Sequence, residues 1–196
     1  MDASYVRRHF ERHQQAIALV AERLSETIAE AAQAIAASLA AGNKVLVMGN
    51  GGSAADAQHL AAELVGRFLR ERRALPAVAL TTDTSILTAV GNDYGFDEIF
   101  KRQVEALARS GDVVIGISTS GRSNNVFHAL TAANTLGCRT VGLLGRDGGN
   151  IAGIVEVNLT VPVQETPHIQ EAHATIVHIL CDLVEQSLFG LTAEQA

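Results

Sequence analysis

The chain contains 196 residues, of which 47% are hydrophobic and 18% are charged, and its formal net charge is −6. Single hydrophobic cores extend to about 250 residues, so we expect residues 1–196 to form one domain. No uncharged apolar run approaches the roughly 20 residues that a membrane-spanning helix needs, and the charged N-terminus lacks a secretory signal pattern. We therefore expect a cytoplasmic protein. The acidic balance argues against a large nucleic-acid interface, and Cys138 and Cys181 form no CxxC motif for zinc or redox chemistry.

The first segment, residues 5–41, consists of helix-forming residues with apolar positions at helical spacing, and Gly42 can end it. This pattern predicts one long or broken helix, or a helical pair. Its apolar face is larger than one small sheet domain can cover. We therefore expect residues 1–42 to pack partly against a second subunit and to support oligomerisation.

Short apolar strands separated by helical segments follow, a pattern typical of a parallel sheet covered on both faces. The predicted strands are residues 44–48, 77–80, 113–117, 140–144 and 155–161. Helices are predicted after the first strand and at residues 96–110, 124–136 and 168–189. Strict alternation of apolar and polar residues in the last strand predicts an edge position. The fold class is thus α/β, with ligands expected beyond the carboxyl ends of the strands.

Two of the predicted strands end in small and hydroxyl-bearing residues that lead directly into a helix. Residues 49–53 read Gly-Asn-Gly-Gly-Ser, and residues 118–123 read Ser-Thr-Ser-Gly-Arg-Ser. Backbone N–H groups at a helix start bind anions, and small residues let a ligand approach closely, so a phosphomonoester fits both loops. The alternative is that these residues only make tight strand-to-helix turns.

The first loop also fits the dinucleotide-binding pattern G-x-G-x-x-A over residues 49–54. A dinucleotide site needs a ribose-binding acid about 20 residues later, at the end of the second strand. The sequence there is Leu80-Thr81-Thr82, and no Walker lysine follows the glycines. We therefore favour a phosphate ligand over a nicotinamide cofactor.

Four polar residues on two predicted helices form a candidate metal and proton-transfer site. His59 and Glu63 are four residues apart, and Gln170 and His178 are eight apart, so each pair shares one helix face. Their nitrogen and oxygen donors suit a borderline divalent ion such as zinc, and a glutamine among them indicates a functional rather than a structural site. Alternatively, each histidine is an ordinary core or surface residue, and the His59–Glu63 pair has no role. Spacing alone leaves both interpretations open.

Motifs spread over almost the whole chain resemble those of the bacterial phosphoheptose isomerases, which act on sedoheptulose 7-phosphate and have the sugar isomerase (SIS) fold. The matching stretches are NGGSAADAQH (50–59), ELVGR (63–67), GNDYG (91–95), GISTSG (116–121), DGG (147–149), IQE (169–171) and HILC (178–181). The resemblance implies a flavodoxin-like domain, a homotetramer with sites between subunits, and one zinc ion per subunit. The implied zinc ligands are His59, Glu63, Gln170 and His178. The implied substrate contacts are Asn50, Gly51, Gly52, Glu63, Asn92, Asp93, Ser118, Thr119, Ser120, Ser123 and Gln170.

The activity that this resemblance implies is the conversion of sedoheptulose 7-phosphate to D-glycero-D-manno-heptose 7-phosphate through an enediol, in heptose precursor synthesis for lipopolysaccharide. Such chemistry needs a base for the carbon-bound proton and a group that moves the hydroxyl proton. We assign Glu63 as the base and His178 as its partner acid, with zinc polarising the carbonyl. Because a zinc-bound carboxylate is a weaker base, either Glu63 leaves the metal during turnover or the proton roles are shared.

A second hypothesis comes from another class of protein. The same fold includes a tetrameric initiator-associating protein, which binds the replication initiator DnaA and is not an isomerase. That binding factor is expected to lack the catalytic glutamate and the final histidine, whereas this chain has both Glu63 and His178. We therefore favour the isomerase, with a phosphosugar and copies of this chain as partners, and neither nucleic acid nor membrane.

Overall fold

The structure, a computed structural model, describes residues 2–190. Its helices are α1 Ala3–Ala40, α2 Gly52–Val65, α3 Thr84–Tyr94, α4 Lys101–Leu107, α5 Asn124–Thr135 and α6 Thr166–Phe189. Its strands are β1 Val45–Gly49, β2 Ala77–Ala79, β3 Val113–Ser118, β4 Arg139–Gly145 and β5 Val157–Val161. Within these residues, no helix combines the length and the apolar character needed to cross a membrane. Residues 1 and 191–196 of the predicted domain lie outside the described range.

The five strands form one parallel sheet in the order β2-β1-β3-β4-β5. Alternate residues of a strand enter opposite layers, because successive side chains point to opposite faces. Val45 and Val47 of β1 pack with α1, α2 and α6. Leu46 and Met48 pack with α4 and α5 on the other face. The sheet is therefore covered on both sides, and the predicted α/β class with a flavodoxin-like strand order is confirmed.

The N-terminal segment is one continuous helix, α1, whose first turn is capped by the Asp2 side chain. It packs against α6 and β5, but its buried residues begin only at Ala16. Nearer the N-terminus, Tyr5 and Phe10 are 59% and 65% exposed. The first turns of α1 thus present apolar side chains that the chain itself does not cover. Their role in oligomerisation stays a prediction.

The continuous helix predicted at residues 96–110 is wrong. A short 3₁₀ turn, Phe96–Glu98, comes first, and α4 then ends at Leu107. The buried carboxylate of Asp112 accepts a hydrogen bond from the Arg109 backbone N–H at 2.7 Å. Because this N–H is bound to a side chain, it does not continue the helix, and the chain turns towards β3 instead.

Two other elements differ from the predicted pattern in informative ways. Helix α3 has no predicted counterpart, because none of its residues is fully buried and only Leu87 and Val90 pack against the core, which is a short apolar pattern in a sequence. The last strand begins at Val157 rather than at Val155, whose side chain packs with the α4–α5 layer. Strand β5 nevertheless lies at the edge of the sheet with alternating burial, so the predicted edge position is confirmed.

His173 on α6 gives the fold a predictable pH dependence. Its ring is fully buried, its Nε2–H donates to the Leu144 carbonyl oxygen at 2.8 Å, and burial lowers its pKa from 6.5 to about 4. Between these two values the unfolded chain binds a proton that the folded chain does not. Stability is therefore complete above pH 6.5 and falls as the pH decreases towards 4.

We expect this histidine to make the free energy of unfolding about 2 kcal/mol smaller at pH 5 than at pH 7. Urea denaturation of the natural protein and of His173→Gln at both pH values measures the effect. The variant should lose this part of the pH dependence. Parallel pH profiles for the two proteins would refute the assignment.

Candidate functional site

The first loop predicted to bind phosphate joins β1 to α2 at the carboxyl edge of the sheet. Gly51 caps α2 with a φ of 57°, in the left-handed region that favours glycine. At Gly49, an added Cβ would lie 2.7 Å from the Ser53 carbonyl oxygen, so only glycine lets the helix start so close to the strand. The first N–H groups of a helix have no partners within it, and here Gly51 and Gly52 are exposed to a ligand.

The second loop joins β3 to α5 at the neighbouring strand and supplies hydroxyl groups. The Ser118 and Ser123 hydroxyl oxygens are 3.0 Å apart, across the turn. The Ser120 hydroxyl accepts a hydrogen bond from the Arg122 backbone N–H at 3.2 Å. Ser118 is buried, whereas Thr119, Ser120 and Ser123 are half-buried. Hydroxyl donors therefore line this turn at the start of a helix, as a phosphate site requires.

The second loop is held by contacts that the sequence pattern did not indicate. Gly121 has a φ of 65°, and a Cβ there would lie 2.0 Å from the Gly148 carbonyl oxygen. The Arg122 guanidinium donates to the Asp147 carboxylate at 2.6 Å, and these contacts hold the second loop against residues 147–149. The DGG stretch at these positions is thus a packing partner of the second loop.

A pair of amides joins the two loops to each other. Asn50 Nδ2 donates to Asn125 Oδ1, and Asn125 Nδ2 donates to Asn50 Oδ1, each at 2.9 Å. Asn125 is buried near the start of α5. Because the pair links loops that follow neighbouring strands, both loops face one space above the sheet. Asn125 is a site-forming residue that the sequence patterns did not identify.

Beside the loops, α2 and α6 bring three of the four predicted metal ligands together. His59 Nε2 lies 3.0 Å from Glu63 Oε1 and 3.3 Å from His178 Nε2. The His59 and Glu63 side chains are 41% and 25% exposed, so the group is open on one side. Imidazole nitrogens and a carboxylate oxygen are donors that a zinc site uses, and here both His178 and Glu63 lie next to His59 Nε2. The chemistry of the donor set therefore fits the ion.

The fourth predicted ligand, Gln170, lies against the first loop. A Cβ added to Gly52 would come within 2.2 Å of Gln170 Nε2, so the glutamine amide occupies the space that a side chain at position 52 would fill. No hydrogen bond joins Gln170 to the three grouped ligands within the described part of the chain. Gln170 thus extends its side-chain amide from α6 to the start of α2, next to the first loop.

Three further residues fix the position of the ligand group. The Phe68 ring stacks on His178 with centroids 5.5 Å apart and an interplanar angle of 25°. Arg72 donates to the Glu63 carbonyl oxygen at 2.7 Å and forms an ion pair with Glu185 of α6 at 2.9 Å. Long-range packing creates these contacts, and the only local signal was the basic cluster at residues 67–73.

Asp56, one turn before His59, is a half-buried carboxyl group in the first part of α2. Burial raises the pKa of Asp56, and the nearby His59 partly opposes that shift. Asp56 Oδ2 is buried and has no hydrogen-bond partner in the described chain. The α2 face that carries His59 thus holds a second polar group directed into the protein.

Asn92 and Asp93 are not brought to the loops within one chain. Both are exposed on α3, where Asn92 Nδ2 donates to Asp93 Oδ1 at 2.8 Å. Among residues 2–190, neither side chain forms a hydrogen bond with the loops or with the ligand group. Their predicted substrate contacts stay a prediction.

The described residues also contain a separate group with metal-binding potential: His13, His168 and Glu171. Their ligand atoms all lie within 4.8 Å of one another. None of these residues is among the predicted zinc ligands. These three residues are therefore a second set of candidate metal ligands, in addition to the predicted one.

The fold and the site together define a class of protein. A parallel sheet in flavodoxin-like order, with two glycine- and serine-rich loops at its carboxyl edge and a histidine–glutamate group beside them, fits the architecture of an SIS domain. The SIS domain family matches residues 8–145.

Comparison with three similar proteins identifies the family within this class. The chain is 65% identical over 184 residues to the phosphoheptose isomerase of Syntrophotalea carbinolica, with 94% of each chain covered. It is 67% identical over 175 residues to that of Geobacter sulfurreducens, covering 89% of this chain and 93% of the relative. A solved phosphoheptose isomerase from Neisseria gonorrhoeae superposes with a TM-score of 0.90 at 46% identity, covering 94% of this chain and 98% of the other. The chain therefore belongs to the phosphoheptose isomerase family of SIS domain proteins.

Proposed function

We propose that the protein is an aldose–ketose isomerase that converts sedoheptulose 7-phosphate to D-glycero-D-manno-heptose 7-phosphate through an enediol. The observation that carries this proposal is the convergence of Glu63, His59 and His178 beside two phosphate-type loops. A phosphosugar needs an anion site at one end and proton-transfer groups at the other. The family membership gives the same reaction class.

The loops bind the phosphate in this proposal. Hydroxyls of Ser118, Thr119, Ser120 and Ser123 and the N–H groups at the start of α5 surround the anion. Gly51 and Gly52 let the sugar approach the start of α2, and Asn50 donates to a sugar hydroxyl. Neutral donors suffice because the helix start adds partial positive charge.

Glu63 and His178 carry the proton transfers. Glu63 takes the proton from C1 of the ketose and returns it to C2, since a carboxylate on a half-buried helix face can act as base towards an adjacent carbon. His178 moves the proton between the two oxygens. Phe68 stacks on His178 and restricts the ring orientation.

The residues that would hold a zinc ion are His59, Glu63, Gln170 and His178. A bound zinc ion supplies a Lewis acid for the carbonyl oxygen. The side chains of this chain then have separate tasks. Gln170 also contacts the sugar, and Glu63 takes the carbon-bound proton.

We also propose a homotetramer in which a neighbouring subunit completes the site. The exposed Asn92 and Asp93 on α3, and the uncovered apolar turns of α1, support an assembly in which these surfaces meet other copies. A cytoplasmic location and a place in heptose precursor synthesis for lipopolysaccharide belong to the same proposal.

The initiator-binding hypothesis is the second candidate, and the grouping of Glu63 with His178 and His59 disfavours it. A pure binding factor does not need a base and an acid beside phosphate loops. Incubation of the purified protein with sedoheptulose 7-phosphate, followed by proton NMR of the anomeric region, tests the two directly. We expect aldoheptose 7-phosphate signals, and none with unphosphorylated sedoheptulose. A substrate that stays unchanged would reject the isomerase.

The contact between Gly52 and Gln170 leads to a specific prediction. Gly52→Ala places a Cβ where the Gln170 amide lies, while the backbone at position 52 is ordinary helix and tolerates alanine. We expect the variant to fold normally and to lose roughly tenfold in turnover, because the displaced amide no longer reaches substrate or metal. Gly153→Ala is the matched control, since the nearest heavy atom to its Cβ would be 4.0 Å away. Equal steady-state kinetics for the two variants would exclude Gln170 from the site.

A further inference from the structure

Helices α1 and α6 carry a polar group that the proposed isomerase site does not use. His13 Nδ1 lies 2.8 Å from Glu171 Oε2, and His168 Nδ1 lies 2.8 Å from the same oxygen. The His9 ring adjoins the group, with its centroid 5.7 Å from that of His168. Two imidazoles and one carboxylate from two helices thus meet at one point, and a third imidazole lies beside them.

The spacing of these residues is the spacing with which helical proteins build metal centres. His9 and His13 are four residues apart on α1, and His168 and Glu171 are three apart on α6, so each pair projects from one face of its helix. Facing helices that each contribute such a pair hold metal ions in helical bundles. The sequence distance between the two pairs explains why spacing along the chain did not reveal the group.

The distances require only a small opening of the group to admit an ion. The ligand atoms of His13, His168 and Glu171 lie within 4.8 Å of one another. Zinc binds nitrogen and oxygen at about 2.0–2.2 Å, so two ligands on one ion are about 3.4 Å apart. The two 2.8 Å hydrogen bonds would therefore lengthen by about half an ångström as the ion replaces their protons.

The three ligands differ in burial, since one is enclosed by the protein and two are partly accessible to solvent. The His168 side chain is 4% exposed, whereas those of His13 and Glu171 are 35% and 45% exposed. A cavity of about 500 Å³, lined by Tyr5, Val6, His9, Phe10, His13 and Glu171, leads to the open side. An ion can enter through this cavity and meet a preplaced imidazole at its end.

We propose that His13, His168 and Glu171 form a second divalent-cation site of the zinc class, with His9 available as a fourth ligand, which fastens the N-terminal part of α1 to α6. The buried residues of α1 begin at Ala16, so apolar burial within the chain does not hold the turns before it. A metal crosslink between α1 and α6 would hold these turns in place. The site shares no ligand with the proposed isomerase centre and does not depend on the proposed function.

The test measures how many zinc ions bind to a variant in which the other candidate zinc site is disabled. The full-length protein carries the double substitution His59→Gln/His178→Gln, which removes two ligands of the proposed isomerase centre. After treatment with a chelator, isothermal titration with zinc measures binding at the second site alone. We expect one ion per chain in this background. Adding His13→Gln or Glu171→Gln should weaken that binding by at least about tenfold. His13 and Glu171 are partly exposed, so these substitutions should not disturb the core.

His128→Gln in the same background is the matched control. His128 and Glu98 also form a half-exposed histidine–glutamate pair, at 3.1 Å, but this pair is not part of the three-ligand group. We expect unchanged zinc binding in this variant. In proteins with an intact second site, zinc should also slow amide hydrogen exchange at residues 3–15. Absence of zinc binding in the His59→Gln/His178→Gln protein would overturn the proposal. So would an equal loss of zinc affinity in the His13 and His128 variants.

Discussion

Replacement of Glu63 by glutamine should lower turnover on the order of a hundredfold or more while leaving binding of the sugar phosphate largely intact. Glutamine keeps the size of the side chain and an oxygen that His59 can contact, but it removes the basic carboxylate. In our proposal the phosphate binds to the loops that follow the neighbouring strands β1 and β3, so its binding should not depend on that charge. Steady-state kinetics with sedoheptulose 7-phosphate, together with direct measurement of phosphosugar binding, separates the two effects.

His178→Gln should also lose turnover, because it removes the imidazole that contacts His59 and stacks on Phe68. His128→Gln serves as the control, since its histidine–glutamate pair lies between α5 and the 3₁₀ turn, away from the site. Bound zinc, measured in all three variants, should fall only for Glu63 and His178. Near-natural activity of Glu63→Gln would remove Glu63 from the role of base.

The largest effect on stability is expected at Arg72 and Glu185. The Glu185 carboxylate is fully buried and accepts backbone hydrogen bonds from Phe68, Leu69 and Arg70 at 2.9–3.0 Å. Arg72 Nε donates to it at 2.9 Å. Burial alone would raise the pKa of Glu185, but these hydrogen bonds and the arginine charge outweigh it and lower the pKa. The pair therefore fastens the segment after α2 to α6.

Arg72→Met should lower the free energy of unfolding by about 3–5 kcal/mol, because it leaves a buried carboxylate without its counter-ion. The double variant Arg72→Met/Glu185→Leu should recover part of that loss, since no buried charge then remains. Arg139→Met is the comparison: its ion pair with Glu156 is about half exposed and should be worth at most about 1 kcal/mol. Chemical denaturation gives all three values. Equal losses for Arg72→Met and Arg139→Met would contradict the role of the buried pair.

This pair also explains how the site depends on residues far from it. Arg72 contacts the Glu63 carbonyl oxygen, and Glu185 lies two turns after His178 on α6. Arg72 and Glu185 thus link the end of α2, which carries Glu63, to α6, which carries His178.

The local pattern of apolar and polar residues was sufficient to predict much of the fold. Residues 45–48 and 113–117 are apolar runs because both faces of these strands are covered, and residues 155–161 alternate because β5 is an edge strand. The break between residues 96 and 110 was not predictable, because it depends on a hydrogen bond between the Arg109 backbone and the buried Asp112 side chain. Such a contact leaves no periodic signal.

The site was predictable only in parts. The spacing of His59 and Glu63 placed both on one helix face, and the loop residues followed from composition at strand ends. That α2 meets α6, so that His178 joins His59, required the resemblance or the structure. Asn125 and Phe68 have no local motif, since their roles come from pairing across the fold.

The most direct test of the account is the conversion of sedoheptulose 7-phosphate in D₂O, with the product analysed by NMR. A base that takes the C1 proton exchanges it with solvent before returning it to C2, so we expect aldoheptose 7-phosphate that carries deuterium at C2. The Glu63→Gln protein should form this product on the order of a hundredfold more slowly. Absence of the aldose would contradict proton transfer by this site, whereas deuterium at C2 would exclude a direct hydride shift from C1 to C2.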